Sequence, residues 1–271
     1  MPELPEVEAT CRSVASYAVN QQFVEVIIRQ RQLRWPICAN LAQVLKNQTI
    51  ENIHRRAKYI LFTCTNGTLI VHLGMSGRLS IVTSNTQVAK HDHVDFILSN
   101  KHIIRYTDPR KFGSIHWTTR VPDKYKLLAH LGVEPLDRDF SGQYLFVVAR
   151  NKKTAIKSLL MDSSIVVGIG NIYANEVLFL AGIRPNRAAN TINLQECVNL
   201  AKHIKKLLRK AINKGGTTLK DFFNPDGSRG YFFLDLMVYG RSSQPCYKCN
   251  TILKSTRLNQ RTTVFCPSCQ H

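Results

Sequence analysis

The sequence predicts an α+β, multidomain protein: an N-terminal helix and an antiparallel β-sandwich, then a helical region, then a C-terminal cysteine-bearing β-hairpin. Three observations lead there. Residues 24–117 repeatedly alternate apolar and polar side chains, the period of half-buried strands. Beyond Pro135 the apolar spacing changes to that of helices. Near the end, Cys246, Cys249, Cys266 and Cys269 form two CxxC pairs separated by sixteen residues. At 271 residues the chain exceeds one average domain, so two packed domains, or one with a small appendage, are expected.

In chain order, residues 5–19 place Val7, Cys11, Val14, Ala15 and Ala18 near helical spacing, with acidic residues in the first turn complementing the helix dipole. Strands are expected at 23–28, 59–64, 69–72, 93–98 and 102–106. The turn pairs Asn66-Gly67 and Ser99-Asn100 divide neighbouring runs into hairpins. Helices are expected at 155–161, 171–180 and 194–212. Between the first two, residues 162–170 form a connection too long for a tight turn, with glycines where the backbone needs unusual torsions. From Val238 onward the chain reads as the cysteine-bearing hairpin.

Composition narrows the function classes. With 37 Lys and Arg against 18 Asp and Glu, the net charge is +19 and the isoelectric point is near 9.8. Such a field favours a polyanion, because each phosphate neutralised releases condensed counterions; a generally adhesive or ribosomal basic protein remains open on charge alone. No apolar stretch is long enough to span a bilayer, and the start MPELPEVEAT lacks the basic and apolar regions of a signal peptide. A soluble, unsecreted protein without membrane association is expected. In a reducing compartment the four patterned thiols suit tetrahedral zinc more than disulfides, with redox CxxC chemistry the alternative. Cys11, Cys38, Cys64 and Cys197 are expected to pack in the core.

Several motifs occur in a fixed order: MPELPEVE at the start, HLGMSGRL at 72–79, TDPRKFG at 107–113, GIGNIYANE at 168–176, GGTTLKDFFNPDGSRGYF at 215–232 and NQRTTVFCPSCQ at 259–270. Through them the whole chain resembles the formamidopyrimidine-DNA glycosylase family. The resemblance implies an N-terminal catalytic β-sandwich domain (1–130) and a helix-two-turns-helix DNA-binding domain with a lesion-covering loop (131–236). A zinc finger (237–271) completes it, with one structural zinc on the four patterned cysteines. One departure is Ser163, where the family commonly carries glutamine or asparagine after Leu-Leu-Met-Asp; it leaves the mechanism untouched.

The chemistry begins at Pro2. After removal of Met1, its nitrogen is a secondary α-amine beside Glu3 and Glu6. An α-amino group is roughly 14% unprotonated at neutral pH, against about 0.04% for an ordinary lysine. Attack on a nucleotide C1′ displaces the base and leaves an imine that acidifies the C2′ proton, permitting strand cleavage. By resemblance, Glu3 assists ring opening and proton transfers, Glu6 supports the site, Lys58 serves β-elimination and Arg261 grips phosphates and serves δ-elimination. Without the family, Pro2 and the glutamates read simply as a helix start, and Lys58 as a solvated strand charge.

A base inside a duplex is reached by extruding it, and the gap must be filled. By resemblance Met75, Arg110 and Phe112 fill it: an apolar wedge disrupts stacking while the arginine hydrogen-bonds the orphaned base. Buried packing is the open alternative for Met75 and Phe112. DNA contact is implied for His91, Arg110, Lys153 and Asn171, whereas Lys157 reads equally well as a solvated helix charge. The glycine-rich Gly215-Gly-Thr-Thr218 resembles the family's lid over the extruded base.

The implied activity is removal of oxidised purines from duplex DNA, followed by cleavage on both sides of the abasic sugar. Double-stranded DNA is the partner, a monomer suffices, and the cytoplasm with its nucleoid is the expected location. A sister enzyme of the endonuclease VIII type, preferring oxidised pyrimidines, is the nearest rival; Leu4, Met75 and the GGTTLKDF segment lean towards the purine branch. A non-catalytic damage-binding protein and a zinc-ribbon RNA-binding protein are the rivals from other classes.

Overall fold

A computed structural model describes residues 2–217 and 232–271. The described chain divides into two compact units: residues 2–129 with 214–217 and 232–233, and His130–Asn213 with Leu234–His271.

The first unit opens with α1 (Leu4–Ala18). Pro5 in its first turn and a reciprocal capping box between Glu3 and Glu6 satisfy the leading amides. Val7, Cys11, Val14 and Ala18, spaced by three or four residues, turn one face inward.

Strands β1 (Phe23–Ile28), β2 (Ile50–Arg56), β3 (Tyr59–Cys64), β4 (Gly67–His72), β5 (Arg78–Val82), β6 (Asp92–Leu98), β7 (Ile103–Thr107) and β8 (Ser114–Thr118) follow. They form two four-stranded antiparallel sheets, ordered β1-β6-β7-β5 and β2-β3-β4-β8. The sheets share one apolar core, in which Phe23, Phe96 and Tyr106 of the first meet Phe62, Val71 and Ile115 of the second, together with α1 and the short helix α2 (Leu41–Leu45). This is the expected sandwich.

Two local readings need correction. The β3–β4 turn consists of Thr65 and Asn66, because Gly67 already pairs with Cys64. A side chain at Gly67 would collide with Trp117 and the Thr118 carbonyl at 2.6 Å, so this glycine serves a close strand approach rather than the turn. Cys38 is exposed, whereas Cys11, Cys64 and Cys197 are buried as expected. Cys38 sits in the irregular β1–α2 connection, outside the apolar cluster. Burial pushes the Cys11 and Cys64 thiols up to about 12, the behaviour of inert packing groups.

The second unit holds α3 (Gly142–Ala149), α4 (Ile156–Leu160), α5 (Asn171–Ala181), α6 (Leu194–Asn213), and the hairpin β9 (Lys254–Leu258) with β10 (Arg261–Phe265). The connection from α4 to α5 begins with a hydrogen-bonded turn at Asp162. The Asp162 carboxylate accepts from Ser164 N and Oγ, and the Asp162 carbonyl accepts from Ile165 N and Val166 N. Gly168 takes φ +82° there, as its place in the connection suggested. Helix α5 is buried from Ile172 through Phe179 and ends on Gly182 in the left-handed conformation. Helix α6 is amphipathic, with Cys197, Leu200, Ile204, Leu208 and Ala211 inward. Among the described residues no helix is long and apolar enough to cross a membrane.

Candidate active site and metal centre

In the first unit, the capping of α1 determines the surroundings of Pro2, Glu3 and Glu6, all of which are buried. Glu6 Oε2 accepts from Glu3 N at 2.8 Å, and its other oxygen accepts from Thr217 N at 2.7 Å. One carboxylate therefore joins the chain beside Pro2 to the start of the glycine-rich segment. Gly216 lies against it at φ +80°, where a side chain would be strained and would press on the Glu6 carboxylate at 3.1 Å. Of the expected lid, Gly215, Gly216 and Thr217 are placed here; residues 218–231 lie outside the described residues.

Lys58 is half-buried and sits in the two-residue turn between β2 and β3, not within a strand, since Arg56 pairs directly with Tyr59. The turn is tied to α1: Glu8 accepts from Arg55 Nε at 3.0 Å, and Arg55 Nη1 donates to the Ala57 carbonyl at 2.9 Å. Ala57, at φ +54°, is held in a conformation that L residues rarely adopt. Arg55 stood beside Lys58 in the sequence, but nothing local marked it as the link.

Met75, Arg110 and Phe112 occupy two adjoining turns. Phe112 is 45% exposed and Met75 half-buried, so neither is the core residue its type suggested. The Arg110 guanidinium lies 4.6 Å from the centre of the Phe112 ring. His91 is half-buried just before β6. His72, below the Met75 turn, accepts from Gly74 N through Nδ1 at 3.0 Å. Burial, then the charges of Lys58 and Arg34, push its imidazole down to about 4, so the ring is neutral at physiological pH.

In the second unit, Asn171 opens α5 and Lys153 is exposed in the connection preceding α4. Arg261 is exposed at the start of β10, immediately after a two-residue turn in which Asn259 and Gln260 both have positive φ. That is the hairpin turn that matches strand twist. Lys157 overturns its reading as a solvated charge: it is 1% exposed, and its Nζ donates to Asn171 Oδ1 (2.7 Å), Thr263 Oγ1 (2.7 Å) and the Thr262 carbonyl (3.2 Å). It thereby links the start of α5 to the strand that begins with Arg261.

Two further residues of α5 had no role assigned from sequence. Asn175 Oδ1 accepts from Val264 N at 2.8 Å. The buried Glu176 carboxylate accepts from Met237 N, Val238 N and Tyr239 N at 2.7–2.9 Å. Both lie inside GIGNIYANE, but their partners are more than sixty residues away.

The four patterned cysteines converge, with all sulfurs within 4.8 Å of one another. Two of the pairs, Cys249–Cys266 and Cys249–Cys269, stand at 3.5 and 3.3 Å. Zinc–thiolate bonds of about 2.3 Å space tetrahedral sulfurs about 3.8 Å apart, so the set fits the metal with little adjustment. Lys248 N and Cys269 N donate to the Cys246 and Cys266 sulfurs, an arrangement that favours thiolates. Four sulfur ligands leave no open position, so one structural zinc is held and it supplies order rather than catalysis. Cys246 and Cys266 also pack with Phe179 of α5, Val238, Leu253 and Val264.

Comparison with known proteins agrees with both units. Residues 1–115 match the formamidopyrimidine-DNA glycosylase N-terminal domain, residues 131–222 the formamidopyrimidine-DNA glycosylase H2TH domain, and residues 243–271 the zinc finger found in FPG and IleRS. The formamidopyrimidine-DNA glycosylase of Marinobacter nauticus is 49% identical over 270 residues, with all of both chains covered. Among solved structures, a mutant Lactococcus lactis FPG in complex with a Fapy-dG containing DNA superposes with a TM-score of 0.91 at 31% identity, covering both chains fully. The Lactococcus lactis Fpg with an abasic site containing DNA gives 0.91 at 31% identity over 99% of each chain. With three family domains matched in order and a relative nearly half identical along its full length, the chain belongs to the formamidopyrimidine-DNA glycosylase family.

Proposed function

We propose that this chain is a bifunctional DNA glycosylase and AP lyase of base excision repair, removing oxidised purines such as 8-oxoguanine and formamidopyrimidines from duplex DNA. The observation that carries the reading is the start of α1, where Pro2 and Glu3 are buried together and held by the Glu6 carboxylate. Once Met1 is removed, the Pro2 amine attacks C1′ and the base departs. The resulting imine draws electrons from the C2′–H bond; loss of that proton expels the 3′ phosphate, and a second elimination expels the 5′ phosphate. Glu3 moves protons at the sugar, Lys58 serves the first elimination and Arg261 the second.

Met75, Arg110 and Phe112 fill the space left by the extruded nucleotide. His91, Arg110, Lys153 and Asn171 hold the DNA, and Glu6 supports Pro2 and Glu3. In this reading residues 1–130 carry the chemistry, 131–236 the DNA-binding helices and lesion lid, and 237–271 the zinc finger. Related crystal structures support the substrate class: the Lactococcus lactis protein was crystallised with Fapy-dG containing DNA, as a mutant, and with abasic-site DNA. A monomer acting on the nucleoid in the cytoplasm fits one extruded base per active site.

The test is a panel of end-labelled duplexes carrying 8-oxoguanine, a formamidopyrimidine or an oxidised pyrimidine. The expected result is preferential cleavage of the purine lesions, leaving phosphate at both ends of the gap. Preference for the pyrimidine lesion would assign the chain to the sister branch, and binding without cleavage would remove the lyase.

A further inference from the structure

We propose that Asp108 is the positioning residue that holds Met75, Arg110, Phe112 and His91 in one frame, so that they meet the DNA as a unit. The inference rests on the reading of those four side chains given above. The Thr107 hydroxyl donates to Asp92 at the start of β6, whereas the fully buried Asp108 reaches the Met75 turn with its side chain. Its Oδ1 accepts from Ser76 Oγ at 2.8 Å, immediately after Met75. Its Oδ2 accepts from Gly113 N at 2.9 Å, immediately after Phe112, and from Tyr106 OH at 3.2 Å.

Ser76 closes the frame, because its Oγ also accepts from Arg110 N at 3.2 Å. The main chain of Asp108 secures the remaining member: its N–H donates to the His91 carbonyl at 3.0 Å, and its carbonyl lies 2.8 Å from His93 Nε2. A carbonyl only accepts, so His93 carries its proton on Nε2. The β6–β7 register shifts between Asp92 and Val94, which frees His93 from the ladder for this contact.

Steric fit makes the frame rigid. Gly74 has φ +64°, and a side chain there would strike Gly113 N and the Phe112 carbonyl carbon at 2.4 Å, so the two turns pack backbone on backbone. Three donors converge on one carboxylate. An amide at this position keeps only one acceptor oxygen and turns an N–H₂ towards donors, which is why aspartate rather than asparagine suits the position. Asp108 would close its own turn through its carbonyl alone, by the bond from Lys111 N at 3.2 Å; the carboxylate bonds to Ser76 Oγ and Gly113 N are additional to that.

The experiment compares Ser76→Ala, Asp108→Asn, Arg110→Ala and Phe112→Ala by stopped-flow fluorescence of a base analogue next to 8-oxoguanine. Excision of 8-oxoguanine and cleavage at a preformed abasic site are measured in parallel, with a thermal melt of each variant. A misplaced group costs on the order of tenfold to a hundredfold in rate, so Ser76→Ala and Asp108→Asn are expected to slow destacking and excision by that much. Cleavage at the abasic site, where no base must be extruded, is expected to fall less than about threefold. Ser76→Ala, at a half-buried position, is expected to keep the parental melting temperature. Equal losses on both substrates in proportion to the folded fraction would reduce Asp108 to a folding residue and overturn the proposal. Slow destacking in Phe112→Ala but not in Ser76→Ala would overturn it while leaving the wedge reading standing. Parental destacking in Arg110→Ala and Phe112→Ala would remove both.

Discussion

Residues in this chain act through neighbours distant in sequence, and His72 shows how that reaches the site. It is neutral because burial and the charges of Lys58, Arg34 and His116 outweigh the attraction of Asp108. Its neutral Nδ1 holds the Gly74 amide and with it the Met75 turn. An unfolded histidine titrates near 6.5, and this one near 4. Between those values the unfolded chain binds the extra proton, so stability is full above about 6.5 and is lost as pH falls through that window. His116, pushed to about 4 by burial and Lys126, adds in the same direction. A melting temperature lower at pH 5 than at pH 7.5, with the difference reduced in His72→Gln, is the expected outcome; a flat profile between those pH values would contradict it. What the sequence revealed at this scale was local: the proline at position 2, the adjoining glutamates, and cysteines at metal spacing. Asp108, Arg55 and Lys157 were not legible, because each acts on a turn or strand that only folding brings near.

Elements were legible where their period was long or their ends were marked. Helix α1 announced itself through Pro5, Glu6 and a three-four apolar spacing, and α6 through twenty residues of amphipathic pattern. Helix α3 was missed. Its sequence GQYLFVVA is almost uniformly apolar, and its only start signal is Ser141, whose hydroxyl accepts from Tyr144 N at 3.1 Å. Strands β2, β5 and β8 fell within the alternating region but were not singled out, although Gly77 and Thr83-Ser84-Asn85 bound β5 and Gly113 precedes β8. The C-terminal hairpin depends on two supports, the four thiolates and the α5 contacts of Asn175 and Glu176. Chelation of zinc is expected to release one metal per chain, loosen 246–269 and abolish strand cleavage, while the β-sandwich keeps its cooperative melt. Metal release quantified with a chromogenic chelator, alongside amide exchange, checks this; a protected hairpin without metal would show that the α5 contacts suffice.

For the whole molecule, charge and motif order carried the argument that composition could not complete. An excess of 19 positive charges names a polyanionic partner but no reaction. In the proposed mechanism the reaction falls to residues that are unremarkable singly: a proline at position 2, a glutamate capping the next turn, a lysine in a tight hairpin and an arginine after another. Most of this was readable because MPELPEVE, GIGNIYANE and the CxxC pairs are contiguous; the scaffolding around them was not, because it is built from long-range hydrogen bonds. The central claim is that the Pro2 amine is the nucleophile, and borohydride reduction during turnover of an 8-oxoguanine duplex tests it most directly. The account predicts a covalent protein–DNA complex whose digested N-terminal peptide carries the sugar on Pro2, and loss of that complex by about a hundredfold or more in Pro2→Gly or with Met1 retained. A processed, tightly binding protein that gives no adduct, or one whose adduct maps to a lysine, would contradict it.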